Sequence, residues 1–199
     1  IYQIRGDNDN ALKSLQKAFF GLPNNTLHMS EYLKFILDTS NIEALEKAYP
    51  FLTKTNSRNG WKSYLITKST LTPAGDPVLI SRAEKAKKLF PFDNEFKQIL
   101  KTAKIGAVSI NKAFSIGQQA QLKYSEKSFI EAAQLYDAAI EIDPFEYSYY
   151  ENAALCYYAL NDIDNALLRI NKVVDEMNPL NGKCEFIKGL IYINLGISE

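Results

Sequence analysis

The side chains that could do chemistry in this sequence are few and scattered. His28 is the only histidine in 199 residues, which excludes a multi-histidine metal site and leaves one imidazole for any triad. Cys156 and Cys184 are the only cysteines. Both stand in apolar helical stretches, where a thiol acts as a small buried hydrophobe rather than a nucleophile or half of a disulfide framework. No CxxC, HExxH, GxSxG, Walker A or GxGxxG pattern occurs. The carboxylates are spread as solvated helix faces usually are. No enzyme and no cofactor, metal included, is expected from these residues. His28 reads as a surface or half-buried residue near a helix start.

Charge and hydropathy narrow the classes further. Lysine plus arginine and aspartate plus glutamate number 23 each, so the chain as a whole has no net charge to draw it to nucleic acid or an anionic membrane. No apolar run approaches the roughly 18–20 residues that span a bilayer. The balance is uneven locally. Residues 82–112 hold eight cations against Glu84, Asp93 and Glu95, whereas residues 126–199 carry thirteen acids against five bases.

The elements that would position any site are helices. "FIEAAQLYDAAIEIDP" (residues 129–144) has apolar residues at helical spacing: Phe129, Ala132, Ala133, Tyr136, Ala139 and Ile140. Its packing face is small where leucine would bury more. Ala132, Tyr136, Ala139 and Pro144 form a spaced pattern. Ala11, Leu15, Ala18 and Pro23 repeat it. Leu79, Ala83, Ala86 and Pro91 repeat it with sizes exchanged, and Ala166, Ile170 and Val173 repeat it with Pro179 one residue late. Pro23 and Pro91 are 68 residues apart, twice 34, and Pro144 and Pro179 are 35 apart. A copy halfway between Pro23 and Pro91 falls on Leu45, Tyr49 and Leu52, with Ser57 in place of the proline. Pro91 to Pro144 is 53 residues, one period plus 19, which predicts an inserted helix. Proline ends each second helix because it lacks an N–H and biases its predecessor away from helical geometry. Ser128 with Glu131 and Ser40 with Glu43 read as capping boxes, and Asp76 before Pro77 as an N-cap with proline at the first helical position.

A 34-residue period with these residues resembles the tetratricopeptide repeat, a helix-turn-helix unit that stacks into a right-handed α-α superhelix. In "YYENAALCYYALNDIDNAL", Tyr150, Ala153, Ala154 and Tyr157 occupy the first helix, Asn161 and Asp162 the turn, and Ala166 the second helix. Gly189, Tyr192 and Gly196 match them further on, and Tyr2 and Gly6 fall in register before Ala11. The resemblance is strong over 1–23 and 113–199, weaker over 24–91 and absent over 92–112. It implies an all-α solenoid with one inserted helix, divided into N-terminal units at 1–91, the insert at 92–112 and C-terminal units at 113–199. Gly106 and Gly117 could break the segment 94–124, which otherwise could be one long helix. Both ends of the sequence fall inside repeats and Ile1 replaces an initiator methionine, so the expectation is a segment of a larger protein.

The resemblance also implies function: a non-catalytic protein-interaction scaffold with a groove lined by first helices. The family register places Phe114, Gly117, Gln121 and Tyr124 there in one unit, Ser148, Glu151, Leu155 and Tyr158 in the next, and Lys183, Phe186, Leu190 and Ile193 in the last. Gly117 and Glu151 stand where some family members carry carboxylate-clamping lysines, so an apolar helix or hydrophobic peptide is the expected partner, or else missing parts of the same chain. Of the tyrosine cluster, Tyr150 and Tyr157 take core positions and Tyr147, Tyr149 and Tyr158 surface ones. Lys97, Lys101 and Lys104 form a stripe on the insert, readable as a docking surface for an acidic partner or lipid phosphates. The composition is rich in isoleucine, asparagine, lysine and tyrosine, as in AT-rich bacterial genomes, and the C-terminal part from "DPFEYSYYENAALCYYAL" to "CEFIKGL" resembles tetratricopeptide tails in Bacteroidota. Some of those are extracytoplasmic accessory tails of membrane polysaccharide polymerases or ligases, so cytoplasmic and extracytoplasmic settings both stay open. No nucleic-acid partner and no membrane insertion of this segment are expected.

Overall fold

A computed structural model describes residues 7–54 and 57–196. Tyr2 and Gly6 lie outside them. The described residues form eleven α-helices and no strand: α1 (Asn8–Gly21), α2 (Thr26–Asp38), α3 (Ile42–Thr53), α4 (Arg58–Leu71), α5 (Pro77–Leu89), α6 (Asn94–Ile105), α7 (Ala107–Ser125), α8 (Phe129–Ile142), α9 (Tyr147–Ala159), α10 (Ile163–Lys172) and α11 (Gly182–Asn194). A π-helical turn, Val173–Met177, extends α10. The chain divides at Gly106 into two compact units.

The predicted period is visible in the backbone. Leu22, Phe90, Asp143 and Asn178 each precede a proline and leave helical geometry, with φ between −126° and −150° and ψ between 64° and 84°. Each donates its N–H back to the third pattern residue, Ala18, Ala86, Ala139 and Val173 respectively, at 2.8–3.2 Å. The three alanine bonds span four residues and the Val173 bond spans five. The π turn therefore absorbs the extra residue that makes Pro179 late. A second backbone signature closes the other hairpin ends. Ser40, Lys127, Asn161 and Gly196 all have left-handed φ, between 50° and 71°. After the first three, the next N–H reaches back to Ile36, Lys123 or Tyr157 at 2.9–3.0 Å, the Schellman closure of a helix C-terminus.

Two of the three cap expectations change. Asp76 caps α5 as expected, accepting from the Leu79 N–H at 2.6 Å with Pro77 in the first turn. Asn41, not Ser40, caps α3, because Ser40 is taken by the left-handed turn. Ser128 makes no side-chain cap bond, and Glu131 pairs with Lys123 instead.

Gly106, at φ 82°, separates α6 from α7, so residues 94–124 are two helices. Of the stretch 92–112, residues 94–105 form α6 and residues 107–112 begin α7. Helix α6 packs Phe96, Leu100 and Ala103 into the core of the first unit. Its last turn is fixed where the Gly75 N–H donates to the Ala103 carbonyl at 2.8 Å. The second unit holds two cores, one around Tyr136 and six alanines among α7, α8 and α9, the other around Tyr150, Ile170 and Ile187 among α9, α10 and α11.

Candidate functional site

In the second unit the first helices α7, α9 and α11 lie side by side. Two contacts fix them. Gly117 of α7 receives the Tyr149 ring of α9, and a Cβ at Gly117 would stand 2.7 Å from that ring. The glycine is a packing position, and Tyr149 is buried rather than a surface contact. Between α9 and α11 the contact is polar. Glu151 is 5% exposed and accepts from Asn181 Nδ2 at 2.5 Å and pairs with Lys183 Nζ at 3.0 Å. Asn181 in turn caps α11, accepting from the N–H groups of Lys183 and Cys184 at 3.1 Å. Glu151 thus ties α9 to the positive end of α11. It fastens two helices together, and the groove reading of this residue gives way to that.

The other lining residues divide by exposure. Phe114, Phe186 and Ile193 stand 58%, 66% and 76% exposed. Leu155, Tyr158 and Leu190 are half-buried between helices. Gln121 faces solvent and accepts from the Tyr136 hydroxyl at 2.9 Å. Tyr124 packs edge-on against Phe129 with centroids 5.5 Å apart.

The reactive groups are buried and kept protonated. Burial, reinforced by Asp137, pushes the Cys156 thiol up to about 11, and burial with Glu151 does the same for Cys184. A thiol in that state is no nucleophile at neutral pH. Burial pushes the Tyr136 and Tyr157 phenols up to about 12, with Cys156 adding to the first and the bond to Asp137 to the second. Asp137 accepts from Tyr157 at 2.5 Å and from Arg169 Nε at 2.9 Å, which links α8, α9 and α10. The Asp137 bonds cross-brace these three helices. His28 is half-buried in the first turn of α2, as expected.

The basic stripe of α6 is not one exposed surface. Lys97 is exposed, Lys101 is buried, and Lys104 pairs with Glu84 at 3.2 Å. The helix turns its 101–104 stretch toward α5 because Leu100 and Ala103 must enter the core.

No family model and no curated protein matches the sequence. Among solved structures, the chain is similar to a tetratricopeptide repeat protein. That protein comes from Parabacteroides merdae ATCC 43184, with 17% identity and a TM-score of 0.38, over 98% of this chain and 83% of the other. The chain is an array of helix pairs, and four pre-proline turns and four left-handed closures recur in it at the sequence period.

Two features escaped sequence reasoning. One is the fastening at Glu151, whose partners lie 30 and 32 residues away. The other is a hub in the first unit. Glu46 pairs with Lys68 at 2.7 Å and Arg82 at 2.6 Å, and the Arg82 guanidinium lies 3.9 Å from the Tyr49 ring centre. The only signal for the hub was Lys68, a lone cation in an otherwise apolar and hydroxyl-bearing helix face.

Proposed function

We propose that this chain is a non-catalytic scaffold that holds an apolar helix or hydrophobic peptide of a protein partner on the α7–α9–α11 face. The observation that supports this is the exposure of Phe114, Phe186 and Ile193 on first helices braced by Glu151 and by the Gly117–Tyr149 contact. Large apolar side chains on a rigid helical face supply pockets for anchors at i, i+3/i+4 and i+7. The half-buried Leu155, Tyr158 and Leu190 form the floor between them.

A displayed library of short amphipathic helices tests it. The intact chain should enrich sequences with apolar anchors at helical spacing. A Phe114→Ser, Phe186→Ser double variant should lose at least about tenfold in capture with an unchanged helical signal. Equal enrichment on the variant would refute the assignment.

A further inference from the structure

The first unit has two unlike ends. Consecutive helices in it pack antiparallel across short connections, so the links after α1, α3 and α5 lie at one end and those after α2 and α4 at the other. Side-chain contacts fix this. Phe51, in the last turn of α3, stacks on Phe20 at the end of α1 with centroids 4.6 Å apart. Arg58 at the start of α4 pairs with Asp93 and Glu95 at the α5–α6 turn. At the opposite end, the α4–α5 turn bonds to the last turn of α6 through Gly75 and Ala103.

Net charge differs between these ends, although the chain's total is zero. The segments 17–30, 51–54, 57–62 and 85–98 at the first end contain eight cations and only two carboxylates, Asp93 and Glu95. Both carboxylates are already paired with Arg58, and Glu95 also with Lys62 at 2.7 Å. The other end, over 7–13, 34–47, 64–77 and 99–106, balances six carboxylates against six cations, so the excess of positive charge lies at the first end. The basic end also projects apolar side chains. Phe92 is 96% exposed at the tip of its turn with Leu89 exposed beside it, and Leu27 and Leu22 are 65% and 58% exposed. Lys87 and Lys88 stand exposed in the last turn of α5, within one turn of Phe92.

We infer that this end docks on an anionic lipid surface, with Phe92 and the leucines entering the headgroup layer and the lysines facing its phosphates. The shape favours lipid over an acidic protein. Leu22 and Leu27 stand exposed at the α1–α2 turn and Leu89 and Phe92 at the α5–α6 turn, so the apolar groups belong to two separate turns. A protein partner needs a continuous patch, whereas a bilayer interface accepts isolated wedges ringed by cations. No helix among the described residues is long and apolar enough to cross a membrane, so the contact is peripheral.

Vesicle co-sedimentation of the full chain tests this, comparing phosphatidylcholine alone with phosphatidylcholine containing about one-third phosphatidylglycerol. The chain should sediment with the anionic vesicles, should not with the neutral ones, and should be released by salt. Lys87→Glu with Lys88→Glu, and separately Phe92→Ser, should each weaken binding at least about tenfold. All three sites are exposed, so the helical signal should not change. A Phe92→Trp variant should show a blue-shifted emission on anionic vesicles. Three results would overturn the inference: no vesicle binding, binding indifferent to Phe92→Ser, or equally strong binding to polyglutamate. The last would mark an acidic protein surface instead.

Discussion

The two units build the same helix hairpin from opposite materials. The first fills its core with Trp61, Tyr64, Tyr32, Phe19 and Phe96, and sets ring against ring: Phe19 stacked on Tyr32 at 5.2 Å, Tyr49 tilted against Tyr64 at 4.8 Å, Phe90 stacked on Phe96 at 4.9 Å. The second sets alanines at the crossings, Ala113, Ala120, Ala132, Ala139 and Ala153 among them, with Tyr136 between. Alanine at a crossing fixes the helix spacing by backbone contact, so each pair must repeat the last one closely. Rings fill whatever space a crossing leaves, so each interface can differ and one more helix, α6, can be accepted on the flank. Close packing is met both ways, but only the alanine solution writes itself into the sequence as a period. Polar bracing is shared: the first unit has the Glu46 hub and the Arg58–Asp93–Glu95 tie, the second has ties at Asp137 and Glu151.

The sharpest way to break this contrast is to add one methyl group at the closest crossing of each unit. The chain carries its own reporters. Trp61, the only tryptophan, is buried in the first unit, and Cys156 and Cys184 are buried in the second. Gly60 packs α4 on α3 so tightly that a Cβ would lie 2.0 Å from the Leu52 carbonyl oxygen. Backbone cannot yield there, so Gly60→Ala should cost more than about 3 kcal/mol, seen as a lower urea midpoint for Trp61 fluorescence. At Gly117 the obstacle is a tyrosine ring, which can pivot, and alanine gains about 1 kcal/mol of helix propensity. Gly117→Ala should therefore shift thiol protection by no more than about 1 kcal/mol. Equal effects would mean that the alanine-packed unit is as rigid at its ring contacts as the aromatic unit is at its backbone.

How much of this could be read in advance depends on what each residue answers to. Pro23, Pro91, Pro144 and Pro179 were legible because a proline dictates backbone geometry by itself. Ala132, Ala139 and Ala166 were legible because small residues at helical spacing have few other uses. Gly106 was legible only as a choice between a break and a continuous helix, since a glycine permits both. Glu151 was misread as groove because its burial depends on Asn181 and Lys183, which only the fold brings to it. The unequal ends of the first unit were illegible for the same reason: their charges come from separate stretches, and the local count over 82–112 mixes both ends.

The next contrast is in pH. In the first unit, burial pushes Glu46 up but the bonds from Lys68 and Arg82 outweigh it and hold it below its ordinary 4.5. A carboxyl lowered by folding stabilises above 4.5, and that contribution disappears as pH falls through the folded value. In the second unit, burial raises Cys156 and Cys184 from 9.0 to about 11, and Tyr136 and Tyr157 from 10.0 to about 12, with Tyr150 raised too. An acid raised by folding stabilises below its unfolded value, so this contribution is lost as pH climbs from about 9 to about 12. Tyr32 is the one such phenol resolved in the first unit. Trp61 emission should therefore respond first to acid, and alkylation of Cys156 and Cys184, by short pulses, should respond first to alkali. The reverse order would show that the buried phenols and thiols do not control the second unit's stability.

The smallest expected effect separates the units at their helix starts. Every N-cap side chain described in the first unit bonds to its helix, from Asp7 through Asn25, Asn41, Ser57 and Asp76 to Asp93. In the second unit Ser128 and Glu146 do not. Asn41 accepts from the Ala44 N–H at 2.9 Å, so Asn41→Ala should cost about 1 kcal/mol in the Trp61 transition. Ser128→Ala should change thiol protection by less than about 0.5 kcal/mol, because no cap bond is lost. The Tyr124–Phe129 ring contact across this turn survives the change and continues to set the entry angle of α8. If Ser128→Ala instead costs as much as Asn41→Ala, the serine does cap α8 in solution. Glu131 would then leave Lys123 to complete the box, and the difference between the units would lie in their cores alone.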